Sequence, residues 1–254
     1  MLRTTLSLAR ASVRLTRLGL HIGYALGIAC VYPAWRPAWQ SRFRQRWARG
    51  VLQLLNVRYA EQGTSFHAPD AGSLLVANHI SWLDIFVINA AMPAHFVAKS
   101  EVGTWPVLGW LVQRSGTLFV RRDRRSDAVQ VNGRITRLLQ RGESVAVFAQ
   151  GTSTDATQPV QFHAALLQSA IDAETRLHPL AVYYHDAHGR RLAATDFVGE
   201  TSFLQSLWRI ACTPRIDVTL TRLPAMDCAG QHRRTIAAQA QQAVNARLMQ
   251  CARV

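Results

Sequence analysis

Ser73-Leu74-Leu75-Val76-Ala77-Asn78-His79-Ile80-Ser81-Trp82-Leu83-Asp84-Ile85-Phe86-Val87-Ile88 is the stretch on which the reading of the fold turns. Its first five residues have the length and apolar composition of a buried strand. Ser81, with Asp84 three positions on and an apolar run behind it, has the pattern of a capping box at a helix start, with Asp in place of the more usual Glu. A strand passed directly to a helix is a unit of a layered α/β domain. The same reading puts His79 just before the helix and Asp84 in its first turn, where a reversal of the chain can bring the two side chains together.

Histidine is the side chain best suited to take a proton near neutral pH. A carboxylate on its other ring nitrogen fixes the tautomer and stabilises the imidazolium. The pair therefore suits deprotonation of a nucleophile. A plainer assignment uses the same residues, with Asp84 capping backbone N–H groups and His79 a loop histidine.

Strand and helix signals alternate outward from this stretch. Val57–Glu61, Ser73–Asn78, Phe96–Lys99, Thr117–Arg121, Ser144–Gln150, Leu177–Tyr184, Leu192–Phe197 and Arg215–Leu220 read as strands. Trp82–Ala91, Trp105–Ser115, Asp127–Gln140, His163–Ala173, Ser202–Ala211 and Thr235–Cys251 read as helices, with Gly142 as a stop signal. The alternation predicts an α/β fold, a mixed and largely parallel sheet flanked by helices. Motif residues near strand ends would then line a crevice at the sheet edge.

The chain has 254 residues, 49% of them hydrophobic, enough for one domain with a substantial core. Cys30, Cys212, Cys228 and Cys251 are scattered without metal-type pairing and read as reduced thiols. His185 and His188 flank Asp186 ahead of Gly189, which reads as a hairpin turn and not a metal site. The net charge of +14 is uneven: residues 1–60 hold ten arginines and no acid before Glu61. Such a segment seeks phosphate, on nucleic acid or on a lipid surface.

Leu18 to Trp35 is mostly apolar, slightly short for a bilayer span and interrupted by His21. Behind it Trp39, Phe43, Trp47, Val51 and Leu54 recur at helical spacing, interleaved with Arg42, Arg44, Arg46 and Arg49, as in a basic interfacial helix. Residues 1–56 thus read as an N-terminal two-helix membrane anchor, spanning or dipping into one leaflet, ahead of a domain over residues 57–254. A core helix pair with solvated arginines and a signal peptide are the alternatives. No nucleic-acid-binding motif is present, which argues against that partner.

Asn78-His79 through Asp84 resembles the first motif of the glycerolipid acyltransferases, the family of 1-acylglycerol-3-phosphate acyltransferases. His95-Phe96-Val97-Ala98-Lys99-Ser100-Glu101 with Pro106 and Gly109 resembles the segment that follows. Gly116-Thr117-Leu118-Phe119-Val120-Arg121-Arg122 resembles the second motif, and Phe148-Ala149-Gln150-Gly151-Thr152-Ser153 the third, Phe-Pro-Glu-Gly-Thr. His178-Pro179-Leu180-Ala181-Val182 is a further, weaker match. The likeness covers about residues 70–185 and, more loosely, the whole chain; the stretch from Phe197-Val198-Gly199-Glu200 through Ser206-Leu207-Trp208-Arg209 resembles that of short bacterial members.

The resemblance implies an acyltransferase domain over residues 57–254, with His79 as the base and Asp84 as its partner. It places Arg122, Lys99, Gln150, Gly151 and Thr152 at the substrate and its phosphate; Lys99 is the chain's one lysine. Arg121, Arg124 and Arg125 read as a solvated basic run. It also implies a lysophospholipid acceptor at the cytoplasmic face of a bacterial inner membrane. The donor would be acyl-CoA or acyl-carrier protein as co-substrate, without cofactor or metal and without a covalent acyl-enzyme. Gln150 departs from the family's Glu, Ala149 from its Pro, and Ser153 stands where many members have Arg. Gln keeps the shape and an acceptor oxygen but not the charge. That leaves three readings: acylation of 1-acylglycerol-3-phosphate, acylation of lyso-ornithine lipid, and a catalytically degenerate membrane-binding member.

Overall fold

The computed structural model describes residues 2–64, 72–121, 125–155 and 158–252. Helices α1 (Leu2–Ala29) and α2 (Pro37–Leu54) lead into β1 (Val57–Gly63). There follow β2 (Leu74–Ala77), α3 (Asp84–Ala91), β3 (His95–Lys99), α4 (Leu108–Arg114), β4 (Leu118–Val120), α5 (Arg125–Gln140) and β5 (Val145–Phe148). The chain closes with α6 (Gln168–Asp172), β6 (Arg176–His185), α7 (Phe203–Cys212), β7 (Ile216–Arg222), β8 (Met226–Asp227) and α8 (Arg233–Cys251). One sheet runs β1-β7-β6-β2-β5-β3-β4, with β8 paired to β6 off this path. The β6–β7 and β6–β8 pairings are antiparallel and the others parallel.

Side chains alternate across each strand, so the sheet has two apolar faces. Leu75, Ala77, Ala146, Leu180 and Val182 pack with Leu18 of α1, Val51 and Leu52 of α2, Val87 and Ile88 of α3 and Ile210 of α7. Leu74, Val76, Val145, Val147 and Leu177 pack with Val131, Ile135 and Leu139 of α5 and Ile236, Ala240 and Val244 of α8. The result is a three-layer α/β sandwich, as the alternating pattern predicts. Truncating a fully buried core residue such as Leu75 is expected to cost about 2–5 kcal/mol.

Gly142 ends α5 as predicted. Its φ of +79° supports a Schellman closure, in which Glu143 N–H bonds to Leu138 O and Gly142 N–H to Leu139 O. The predicted strand Leu192–Phe197 is instead a 3₁₀ turn over Ala193–Thr195 joined to β6 by a His185–Arg191 bridge. The edge of β6 facing it is occupied: the Asn78 amide donates to Val182 O and accepts from Val182 N–H. The predicted helix Trp105–Ser115 begins only at Leu108, after Pro106. The predicted helix His163–Ala173 divides into a 3₁₀ turn, Ala165–Leu167, and α6. The Asp186–Gly189 turn forms, with the Asp186 carboxylate accepting from the N–H groups of His188 and Arg190.

The N-terminal helices are tied to the sandwich. Arg14, only 9% exposed, donates to the carbonyl of Ala211 in the last turn of α7 and to those of Thr213 and Pro214 just beyond it. Gln45 and Arg49 of α2 do the same for Ala90 at the end of α3. Phe43, Trp47 and Val51, read from sequence as part of an interfacial stripe, turn inward to wall a cavity, while Trp39 is exposed. Among the described residues no helix is long and apolar enough to cross a membrane.

Candidate active site

The C-terminal ends of β2, β5, β3 and β4 lie side by side, the edge at which parallel α/β sheets place their chemistry. β5 returns between β2 and β3, so Ala77 of β2 is paired with Phe148 of β5. The residues that follow, His79 and Gln150, are therefore neighbours although 71 positions apart.

His79 and Asp84 meet as predicted, with Nδ1 2.8 Å from Oδ2 of Asp84. The same Oδ2 accepts from the N–H groups of Ile80 at 2.8 Å and Ser81 at 3.0 Å. Half of the predicted capping box forms: the Asp84 carboxylate accepts the Ser81 N–H, but α3 starts only at Asp84 and the Ser81 hydroxyl accepts weakly from Leu83 N–H instead of from Asp84. Asp84 thus caps the backbone and holds the imidazole at once. With a carboxylate opposite Nδ1, the neutral ring carries its proton there and Nε2 is left as an acceptor. The ring is 20% exposed and stacks on Phe148, 4.0 Å between centroids, which fixes the plane in which Nε2 points.

Tyr184, on β6, is a partner that sequence reading missed. Its hydroxyl donates to Oδ1 of Asp84 at 2.7 Å. Burial, and then the Asp84 charge, push its phenol well above the usual range, so it remains a donor. Both carboxylate oxygens are satisfied, as a charge without any exposure requires.

Gln150 does not line the cavity. Its Oε1 accepts the His79 N–H at 2.6 Å, its Nε2 donates to the Thr154 hydroxyl, and the Thr154 N–H donates to His79 O. This ring of bonds pins the His79 backbone on both sides, and it uses one acceptor and one donor of a neutral amide. Gln150→Glu is expected to keep turnover within about threefold, since Glu retains the acceptor and the Thr154 hydroxyl can turn to donate. Gln150→Leu strands the buried N–H and is expected to lose about tenfold or more. Steady-state kinetics of the pair separates this clasp from a role for charge.

A cavity of about 530 Å³ runs from His79 along β3, from Lys99 to Ala94, beneath α1 and α2. Its walls are mostly apolar, including Ile22, Phe43, Trp47, Phe86 and Phe96. Lys99, Gly151, Thr152 and Ser153 line it along with His79, and Arg44, Asn89, His95, Arg114 and Thr117 are among its other polar lining residues. Lys99 is exposed at the end of β3, beside Val120 of β4, after which Arg121 is exposed and paired with Asp127. Arg122 and Arg124 lie outside the described residues. Among the described residues no cluster of His, Cys, Asp or Glu could hold a metal ion. The arrangement offers an oriented base in an apolar cavity that Lys99 also lines.

A largely parallel α/β sheet with this dyad at the C-terminal ends of its strands defines a class, and residues 57–183 match the sequence model of the acyltransferase family. The chain belongs to that family. It is 35% identical to a 1-acyl-sn-glycerol-3-phosphate acyltransferase of Neisseria meningitidis, over 76% of this chain and 75% of that protein. It is 37% identical to a lyso-ornithine lipid O-acyltransferase of Pseudomonas aeruginosa, over 79% and 78%. The crystal structure of a 1-acyl-sn-glycerophosphate acyltransferase from Thermotoga maritima superposes with a TM-score of 0.71 at 17% identity, covering 98% of this chain and 97% of that one, a likeness of fold.

Proposed function

We propose that this protein acylates the free hydroxyl of a lysophospholipid, using an acyl thioester of CoA or of acyl-carrier protein. The observation that carries the reading is the oriented His79–Asp84 pair at the head of the apolar cavity. Nε2 of His79 takes the hydroxyl proton as the alkoxide oxygen attacks the thioester carbonyl, and Asp84 stabilises the imidazolium that forms. The tetrahedral intermediate then expels the thiolate, which regains a proton from His79, leaving an ester and a free thiol. The acyl chain occupies the cavity, with no covalent enzyme intermediate.

The preferred acceptor is 1-acylglycerol-3-phosphate, acylated at its sn-2 hydroxyl to phosphatidic acid. Lys99, Arg122, Gly151 and Thr152 are the residues assigned to its phosphate, by an ammonium, a guanidinium and turn N–H groups. Lyso-ornithine lipid is the second reading, favoured by the relative of that name. Gln150 does not separate the two, because it clasps the His79 backbone away from the cavity lining. The reaction is placed at the cytoplasmic face of a bacterial inner membrane, with residues 1–56 as a monotopic anchor: Leu20, Tyr24, Val31 and Trp39 are exposed there beside Arg17, Arg36, Arg42 and Arg46.

Purified protein assayed with both lyso-lipids and an acyl-CoA is expected to consume lysophosphatidic acid at least about tenfold faster, in kcat/KM, than lyso-ornithine lipid. The reverse order assigns the second acceptor, and consumption of neither overturns the enzymatic reading.

A further inference from the structure

Val107 has φ 63° and ψ −59°, and the Leu108 N–H bonds to Pro106 O at 2.6 Å. That is a γ-turn of the rare, strained kind, centred on a β-branched residue that pays a steric cost there. Nothing in the core compensates it, since Val107 is 55% exposed. Trp105 precedes it and Trp110 follows, both partly exposed. The strained turn thus holds a valine outward, flanked in sequence by two partly exposed tryptophans.

The turn stands at the rim of the cavity. Trp105, Leu108, Leu111 and Val112 line the cavity, while Val107 and Trp110 face away from it. Across the rim Trp105 packs on Phe203, 5.6 Å between centroids, at the start of α7. Helix α7 repeats the division: Phe203 and Leu207 line the cavity, and Leu204 and Trp208, one turn apart, are exposed. Arg114 stacks over the Trp110 ring and Arg209 is exposed beside Trp208. Exposed aromatic and aliphatic tips backed by guanidinium groups are the composition that seats in a phospholipid interface. Glu101 and Glu200 are also exposed close by in sequence, so apolar insertion rather than net charge is the driving term.

We infer that the Trp105–Trp110 knuckle and the Leu204/Trp208 face of α7 form a second lipid-contacting lip, separate from the N-terminal helices, that holds the cavity mouth against the membrane surface. This rests on the lipid-acceptor reading above and adds an element to it. With two lips, a lyso-lipid passes from bilayer to His79 without exposing its chain to water. The occupant is a phospholipid surface rather than a protein, because the residues it would seat alternate along the chain with Trp105, Leu108, Phe203 and Leu207, which line the apolar cavity a lipid would enter.

The test is flotation with vesicles of phosphatidylethanolamine and phosphatidylglycerol, comparing wild type with Leu204→Asp and with Val107→Asp. Each substitution is expected to weaken vesicle partitioning by about tenfold, the scale of withdrawing one apolar side chain from lipid. Val107 is exposed and packs into neither core layer, so Val107→Asp is expected to melt within a few degrees of wild type. Leu204→Asp lies on an exposed helix face and serves if the turn variant fails to fold. Turnover of a short-chain, monomeric lyso-lipid is expected to stay within about twofold, while turnover of the vesicle-embedded acceptor falls with partitioning. Partitioning within about twofold of wild type for Leu204→Asp overturns the second lip. Wild-type failure on the monomeric acceptor sinks the enzymatic reading instead and leaves the partitioning result standing.

Discussion

His79→Ala is expected to lower kcat by roughly 10²–10⁴-fold, the range a positioned general base supplies, with KM for the acyl donor little changed. The ring meets Asp84 on one edge and stacks on Phe148, but it sits in a loop and keeps a fifth of its surface exposed. Its loss therefore removes the proton acceptor without opening a cavity in either core layer. Asp84 loses one of four donors and keeps those from Ile80, Ser81 and Tyr184. Thermal melting should move by only a few degrees, the size expected for one partly exposed contact. His79→Gln, which retains bulk over Phe148, should be as inactive as His79→Ala, because an amide does not accept the proton. Residual turnover above about a tenth of wild type in either variant removes His79 from the proton-transfer role.

How much of this was legible in the sequence depends on whether a feature is local. The strand read over Ser73–Asn78 and found at Leu74–Ala77, the helix read over Trp82–Ala91 and found at Asp84–Ala91, and the His79–Asp84 contact are set by spacing over a dozen residues; the contact forms as read, and the two elements form with shorter bounds. The Gly142 stop also stands as read. What was misread depends on partners far along the chain. Trp39, Phe43, Trp47 and Val51 have the same helical period whether they face lipid or a cavity. Only the docking of α2 beneath α1 and beside α3 turns three of them inward. Leu192–Phe197 has strand-like composition, yet Asn78 already fills the edge it would need. Tyr184 carried no signal at all, since a tyrosine at the end of an apolar strand is ordinary. Its role comes from the parallel β2–β6 pairing, which sets it against Asp84, 100 residues away. Gln150 was legible as an oddity but not as a clasp, for the same reason.

Asp84 separates the two assignments its sequence pattern allows, because a carboxamide and an aliphatic side chain remove different things from it. In Asp84→Asn the amide oxygen can take the place of Oδ2 and still accept from Ile80, Ser81 and the His79 Nδ1–H. Its NH₂ then faces the Tyr184 hydroxyl, which can rotate to accept. Loop geometry and tautomer survive, and what is lost is the negative charge that stabilises the imidazolium. The expected result is a folded protein whose kcat falls by about 10²–10³-fold. In Asp84→Leu the two backbone N–H groups and the buried phenol lose their acceptor outright, at about 1–3 kcal/mol each. Set against the roughly 5–15 kcal/mol that holds a domain together, that is enough to keep the variant from accumulating as folded protein. Soluble yield and thermal melts of both variants, with kcat for the Asn form, measure the two effects apart. An Asp84→Asn protein with wild-type kcat would show that the carboxylate only clasps the loop, and would leave His79 to act without a charged partner.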